Sequence, residues 1–315
     1  MKNVEVAVPA TLETFDEAGY LSLNPDVAKA VASRHFGSGL EHFRLYGHAE
    51  GRMQNDCEAV AAVRKAKLPQ LRSVLRKDIT HQWDGDVVNF LTDEVRAAAR
   101  IVETENVSGN PYPPEVIALI ESCPEGLVLD CGAGNRGTYY SNVANFEIVD
   151  YPSTDVLGVG EELPFTDGAF DGVISIAVLE HVRDPFRCAS EIIRVLKPGG
   201  RLICYAPFQS TLHGYPHHYF NMSHQGLRSL FEDKLSIDDH LVLDSVLPIW
   251  NLSTLVSSWA DGLPPSVRES FLEMSLRDIA VDPMTLIKEP FVRELPVEKN
   301  FELASGTVLF ASKRG

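Results

Sequence analysis

No stretch of this 315-residue chain approaches the ~18–20 consecutive apolar residues that span a bilayer. The opening residues carry no apolar segment of the length a secretion signal needs, so none is expected. Cysteine is sparse: five residues, Cys57, Cys123, Cys131, Cys188 and Cys204, none in a CxxC pair. That scarcity excludes a disulfide framework and a cysteine zinc site, and it predicts reduced thiols in a cytoplasmic protein. Positive charge is also short. The net charge is −16 and the pI near 5.0, a balance that repels phosphate backbones and anionic lipid, so neither nucleic acid nor membrane is an expected partner. What is present is ordinary globular material, 44% hydrophobic and 23% charged, enough to build a core.

The chain reads as three parts: a small helical module over 1–58, a helical connector over 59–110, and a larger α/β part over 111–315. In the module, Leu23, Val27, Ala30 and Val31 recur at helical spacing, with Asn24-Pro25 as a helix start, and Leu40, Phe43 and Tyr46 mark a second helix. The stretch 57–80 is rich in alanine and basic residues and reads as a solvated helix, or as a contact surface for an acidic partner. Residues 86–104 also read as helical. Beyond Pro111 the texture changes. LVLD (127–130), FEIVD (146–150), FDGVIS (170–175) and RLICYAPF (201–208) are apolar strand candidates, with helices over 115–122 and 185–196. Buried strands alternating with helices imply a mostly parallel sheet covered on both faces. A helical insertion is expected over about 245–296, and FELASGTVLFASKR (301–314) reads as the last strand.

The sharpest local signal is DCGAGNRG (130–137), which holds Gly132-x-Gly134-x-x-Gly137. It fits the dinucleotide fingerprint, with Asp150 twenty positions after Asp130 where a ribose-binding acid belongs. The spacing alone is weak. Asp130 stands at the strand end, just before the first glycine, and its carboxylate would oppose a pyrophosphate. It suits instead the ammonium of S-adenosylmethionine, which brings no phosphate. The loop therefore favours S-adenosylmethionine over NAD without deciding the matter.

The remainder of the chain adds a resemblance. LVLDCGAGNRG resembles the glycine-rich first motif of the class I S-adenosylmethionine-dependent methyltransferases, of the type 11-like kind. The block 162–208, with its LPF…FD, LEHV and RVLKPGG segments, is similar to that family's central region, and HGYPHHYFNMSHQGLRSLFE (213–232) to a segment of one subgroup. Separately, 15–52 is similar to a short NPDV…YG…EGR module found in diverse bacterial proteins. The resemblance implies a Rossmann-like, mostly parallel seven-stranded sheet and S-adenosyl-L-methionine as cofactor. It implies a floor of Asp130, Cys131, Gly132 and Gly134 under the methionine part, Asp150 on the ribose and Tyr151 against the adenine. Gly160 and Glu161 would border the adenine, with Val159 standing where many relatives carry an acid. Ile176 and Ala177 would line the reactive end, with Glu180 and His181 at the mouth. Few residues separate Asp150 from a strand candidate near 155–158, too few for a crossover helix, so the N-terminal region is expected to cover that flank.

The function so implied is methyl transfer to an oxygen or nitrogen of a small molecule or glycan, mainly by alignment. A base is needed only for a hydroxyl or a protonated amine. His213, His217 and His218 follow the last central strand, and with His181 they are the base candidates; each also suits a structural hydrogen bond. Asp238, Asp239 and His240 read as a solvated turn, and no metal site is expected. Tyr139 and Tyr140 fit a helix packed on the sheet, or a lid over the cofactor. Trp250 and Trp259, with Leu252, Leu255 and Val256, suit either a cap over the acceptor or a core. The alternatives are a cofactor-binding scaffold that recruits a protein through the N-terminal module, or an NAD-linked oxidoreductase.

Overall fold

The computed structural model describes residues 2–102, 109–214 and 217–306. Two short strands, β1 (Asn3–Glu5) and β2 (Ala7–Pro9), open the chain. Helices α1 (Glu17–Leu23), α2 (Pro25–Ala32) and α3 (Gly39–His42) follow, the last running on as a wider turn through Gly47. They close over Tyr20, Val27 and Phe43. Strand β3 (Met53–Asn55) pairs with β2, and α4 (Cys57–Val74) begins at Asp56, whose side chain accepts from Ala59 N–H at 3.0 Å. The connector then departs from expectation. Part of 86–104 is strand: β5 (Val87–Asn89) forms a hairpin with the preceding β4 (Gln82–Asp84), and among the described residues of that stretch only α5 (Asp93–Ala99) is helical. The two-residue loop Gly85-Asp86 closes the hairpin, with Gly85 at φ +56°, a conformation glycine adopts without penalty.

After α6 (Pro114–Glu121) come β6 (Val128–Cys131), β7 (Thr138–Tyr140), β8 (Val143–Glu147), β9 (Val156–Leu157) and β10 (Phe170–Ile176). Then follow α7 (Pro185–Val195), β11 (Leu196–Tyr205) and α8 (His224–Ser229). Seven strands form one sheet in the order β11-β10-β6-β8-β9-β5-β4, parallel throughout except for the β4–β5 hairpin. The sheet class is as read from the sequence, but its far edge is built from the connector.

Strand parity separates two cores. Leu127, Leu129 and Cys131 face α7 and the end of α4, joining Ile192, Val195, Leu71 and Phe165. Val128 faces the other way, onto Val116, Leu119 and Ile120 of α6. The α7 pattern of Cys188, Ala189, Ile192 and Val195 places one apolar stripe on the sheet, and Asp184 caps its start.

The glycine loop leads into no helix. Thr138–Tyr140 forms β7, which pairs antiparallel with β1, so Tyr139 and Tyr140 lie on a strand and not on a helix. Between β8 and β9 there is likewise only a loop. Helix α4 lies along that flank and is fastened there by charge. Lys67 donates to Asp155 at 2.6 Å and to the carbonyl of Val143, and Arg64 donates to the carbonyls of Pro152 and Thr154 at 2.6 and 3.0 Å. Tyr139 donates to the same carboxylate. Both Lys67 and Asp155 are buried.

The last part is a helical unit: α9 (Pro248–Asp261), α10 (Pro265–Leu272), α11 (Leu276–Ile279), α12 (Pro290–Arg293) and α13 (Val297–Leu303). It closes over its own core of Ala260, Leu263, Phe271, Phe291 and Leu295. Phe301–Leu303 is therefore helix where a strand was expected, and 307–314 lies outside the described residues.

Candidate active site

A cleft of about 810 Å³, counting its open mouth, lies at the carboxyl ends of the central parallel strands. That is where ligands of open α/β sheets bind. Its wall is made by Cys131 and Gly132 at the end of β6, Phe146, Glu147 and Ile148 at the end of β8, Gly158 to Glu161 after β9, and Ala177, Val178, His181, Val182 and Arg183 after β10. Gly132 has φ +82°, and a methyl group on it would sit 2.4 Å from Val178 Cγ2, so the close approach of these two loops requires glycine. Ala177, at φ +54°, holds a left-handed conformation that side chains rarely adopt.

Two carboxylates flank the glycine loop. Asp130 is fully buried. Its Oδ2 accepts from Arg136 Nε at 2.8 Å and from the Tyr112 hydroxyl at 2.5 Å, while Oδ1 has no partner among the described residues. Asp130 thus has a resident counter-cation, Arg136, and one unpartnered oxygen, but it is not among the residues lining the cleft. Glu147 ends β8. Its carboxylate accepts from Gly134 N–H at 2.8 Å and from Ile148 N–H at 2.7 Å. Burial pushes its pKa up, against the pull of those two N–H groups.

The expected site residues divide accordingly. Cys131, Gly132, Tyr151, Gly160, Glu161, Ala177 and His181 line the cleft. Gly134 lies beneath it and acts through its N–H on Glu147. Asp150 is a correction: β8 ends at Glu147, and Asp150 lies three residues on, exposed and outside the lining. The apolar run FEIVD thus overshoots the strand by three residues. Ile176 is a second correction. Its side chain leaves β10 on the opposite face and packs with the α6 core.

Beside the cleft mouth the histidines converge. His181 Nδ1 donates to the His217 carbonyl at 2.6 Å, and its ring lies 5.2 Å from His213 and 5.8 Å from His218. His217 Nε2 lies 2.9 Å from the Arg100 carbonyl, so that side chain serves to tie its loop to the connector. Glu180 is buried with neither oxygen partnered among the described residues, and burial pushes its pKa up to about 7. Burial lowers the pKa values of His181 and His218. Asp238, Asp239 and His240 are all exposed. Trp259 packs against Phe271 and Phe291 in the core of the helical unit, whereas Trp250 and Leu252 are exposed.

Residues 130–204 match the model of a methyltransferase domain, a span that includes the glycine loop, Glu147 and the turn bearing His181. Over that span the chain is similar to methyltransferases. The cofactor that goes with such a domain is S-adenosylmethionine. An uncharacterised methyltransferase of Mycobacterium tuberculosis is 38% identical over 111 residues, 30% of this chain and 45% of that protein. A demethylmenaquinone methyltransferase of Symbiobacterium thermophilum is 52% identical over 48 residues, 15% of this chain and 19% of that protein. The matched region thus spans under half the length of these relatives. The solved YcgJ protein of Bacillus subtilis covers 49% of the chain, and 86% of its own length, at 19% identity with a TM-score of 0.32, too distant to bear on function. No described helix is long and apolar enough to cross a membrane.

Proposed function

We propose that the protein transfers the methyl group of S-adenosylmethionine to an oxygen or nitrogen of a small molecule or glycan intermediate. The observation that carries this reading is the pair of buried or half-buried carboxylates around a glycine loop, each with capacity to spare. The unpartnered Asp130 Oδ1 suits an ammonium, and Glu147, oriented by two backbone N–H groups, suits the paired hydroxyls of a ribose. Arg136, already at Asp130, is placed to neutralise a carboxylate on the same amino-acid tail. A buried acid at the head of the loop, Asp130, is a poor match for a diphosphate, which argues against an NAD-linked reaction, whereas a ribose-binding acid suits either cofactor. Tyr151 and the backbone of Gly160 and Glu161 offer an apolar and hydrogen-bonding wall for an adenine.

When bound, the sulfonium cofactor supplies a methyl group already activated for displacement. The protein's part is then to orient the cofactor, admit the acceptor in line and exclude water. Ala177 and Val178 border the place where that transfer would occur. A hydroxyl acceptor must also lose a proton, and the Glu180, His181 and His213 group at the mouth is the nearest set of proton acceptors. The helical unit over 248–303 is proposed as the acceptor side of the cleft, joined to the segment after β11 by Leu212 N–H donating to the Glu302 carbonyl at 2.8 Å. Calorimetry with S-adenosylmethionine and with NAD tests the cofactor assignment. Release of S-adenosylhomocysteine with a panel of hydroxyl and amine acceptors tests the reaction. Cofactor binding without turnover on any acceptor would favour the scaffold reading.

A further inference from the structure

We infer that Glu180, His181 and His213 form a binding site for a divalent transition-metal ion at the mouth of the cleft. The residues come from two separate segments, the turn after β10 and the stretch after β11, and one ligand atom from each lies within 4.8 Å of the other two. His181 Nε2 is 3.8 Å from Glu180 Oε1.

The hydrogen bonds fix which imidazole nitrogens keep a lone pair. His181 Nδ1 lies 2.6 Å from the carbonyl of His217, and a carbonyl can only accept, so that nitrogen carries the proton and Nε2 keeps a lone pair. His213 Nδ1 lies 2.9 Å from the carbonyl of Thr211, with the same consequence. Carbonyl-anchored Nδ1–H with Nε2 left open is the way metal-ligating imidazoles are oriented. His218 differs. Its Nδ1 accepts from His213 N–H at 3.2 Å and its Nε2 donates to Asn221 Oδ1 at 2.8 Å, so both nitrogens are spent. His218 is a supporting wall, not a ligand.

Two lone pairs and a carboxylate therefore converge with nothing positive between them. Glu180 is fully buried, both its oxygens lack a hydrogen-bond partner, and no Lys or Arg pairs with it among the described residues. Acceptors alone repel one another, and a dication placed among them turns that repulsion into three bonds. Two imidazoles and a carboxylate with an open fourth position is a donor set suited to Zn²⁺ or a similar borderline ion. Bonds of about 2.0–2.1 Å put tetrahedral ligands roughly 3.3 Å apart, so the cluster needs only a modest contraction. Gly214, at φ +128°, backs the His181 ring so closely that a methyl group there would sit 2.8 Å from Cε1. The loop is thus shaped around that imidazole. His181 also lines the cleft and His213 is exposed, which leaves the fourth position open to a hydroxyl or carboxylate oxygen entering from solvent. The role toward an acceptor rests on the methyl-transfer reading, whereas the metal site does not.

The full chain, stripped with a chelator and dialysed, is titrated with Co²⁺ and then with Zn²⁺ in competition, without cofactor. The expected result is one ion per chain with the visible bands of a histidine-ligated Co²⁺, displaced by Zn²⁺. His213→Ala and Glu180→Gln should each weaken binding by roughly 100-fold or more, because even outer-shell changes cost about 10–100-fold. His240→Ala, in an exposed histidine outside the cluster, should leave binding unchanged. Circular dichroism confirms that each variant is folded. Absence of Co²⁺ binding, or equal loss in His240→Ala, overturns the site. A parallel S-adenosylmethionine titration separates that failure from failure of the cofactor reading.

Discussion

The Glu147 carboxylate is held in place by the backbone before any ligand arrives, and that makes it the residue on which cofactor affinity should turn. Glu147→Gln should weaken S-adenosylmethionine binding by ~1–3 kcal/mol, the cost of losing charge-assisted hydrogen bonds, as measured by calorimetry. Asp150→Ala should leave it unchanged, since that residue is exposed and is not among those lining the cleft. Equal losses in both would contradict the placement. The same residue sets a pH dependence. Burial raises the pKa of Glu147 above its ordinary 4.5, and the ionised form is the one that accepts ribose hydroxyls. Affinity should therefore fall as pH is lowered through that raised value, and the fall should be absent in Glu147→Gln. Gly132→Ala should abolish binding and lower stability, because the added methyl meets Val178 and the residue must keep a positive φ.

Among the elements, α4 replaces the missing crossover helix, and its hold on the sheet combines the apolar contacts of Val60, Val63 and Leu71 with one buried ion pair and its surrounding hydrogen bonds. Lys67→Met leaves Asp155 buried with weaker compensation from Arg64 and Tyr139, and should cost about 3–5 kcal/mol in denaturant unfolding. A loss under ~1 kcal/mol would mean that α4 is held by its apolar contacts alone. The central strands were legible because β6 and β10 are short apolar runs buried on both faces. The end of β8 was not, since Ile148 and Val149 prolong the apolar run after the hydrogen bonding has stopped. The β4–β5 hairpin had a visible signal, Gly85-Asp86 between strand-like triplets, which helical residues nearby obscured. The lock of Lys67 on Asp155 and of Arg136 on Asp130 joins residues 88 and 6 positions apart, and pairings of this kind have no local sequence signature. The histidine cluster was half legible. HGYPHH announced itself, but only the fold brings it to Glu180 and His181.

At the scale of the molecule, the α/β part and the helical unit have separate cores, so the two should be separable in function. A chain ending at residue 243 should retain S-adenosylmethionine binding and lose turnover; loss of binding as well would place part of the cofactor site in the helical unit. The net charge of −16 works in the same direction as the cleft chemistry, since a strongly acidic surface favours neutral or cationic acceptors over polyanions. The most direct test of the whole account is an isothermal titration of the intact protein with S-adenosylmethionine, run beside Glu147→Gln. One site per chain, weakened about tenfold or more by the substitution, is the outcome expected here. No heat of binding, or tighter binding of NAD than of S-adenosylmethionine, would contradict it.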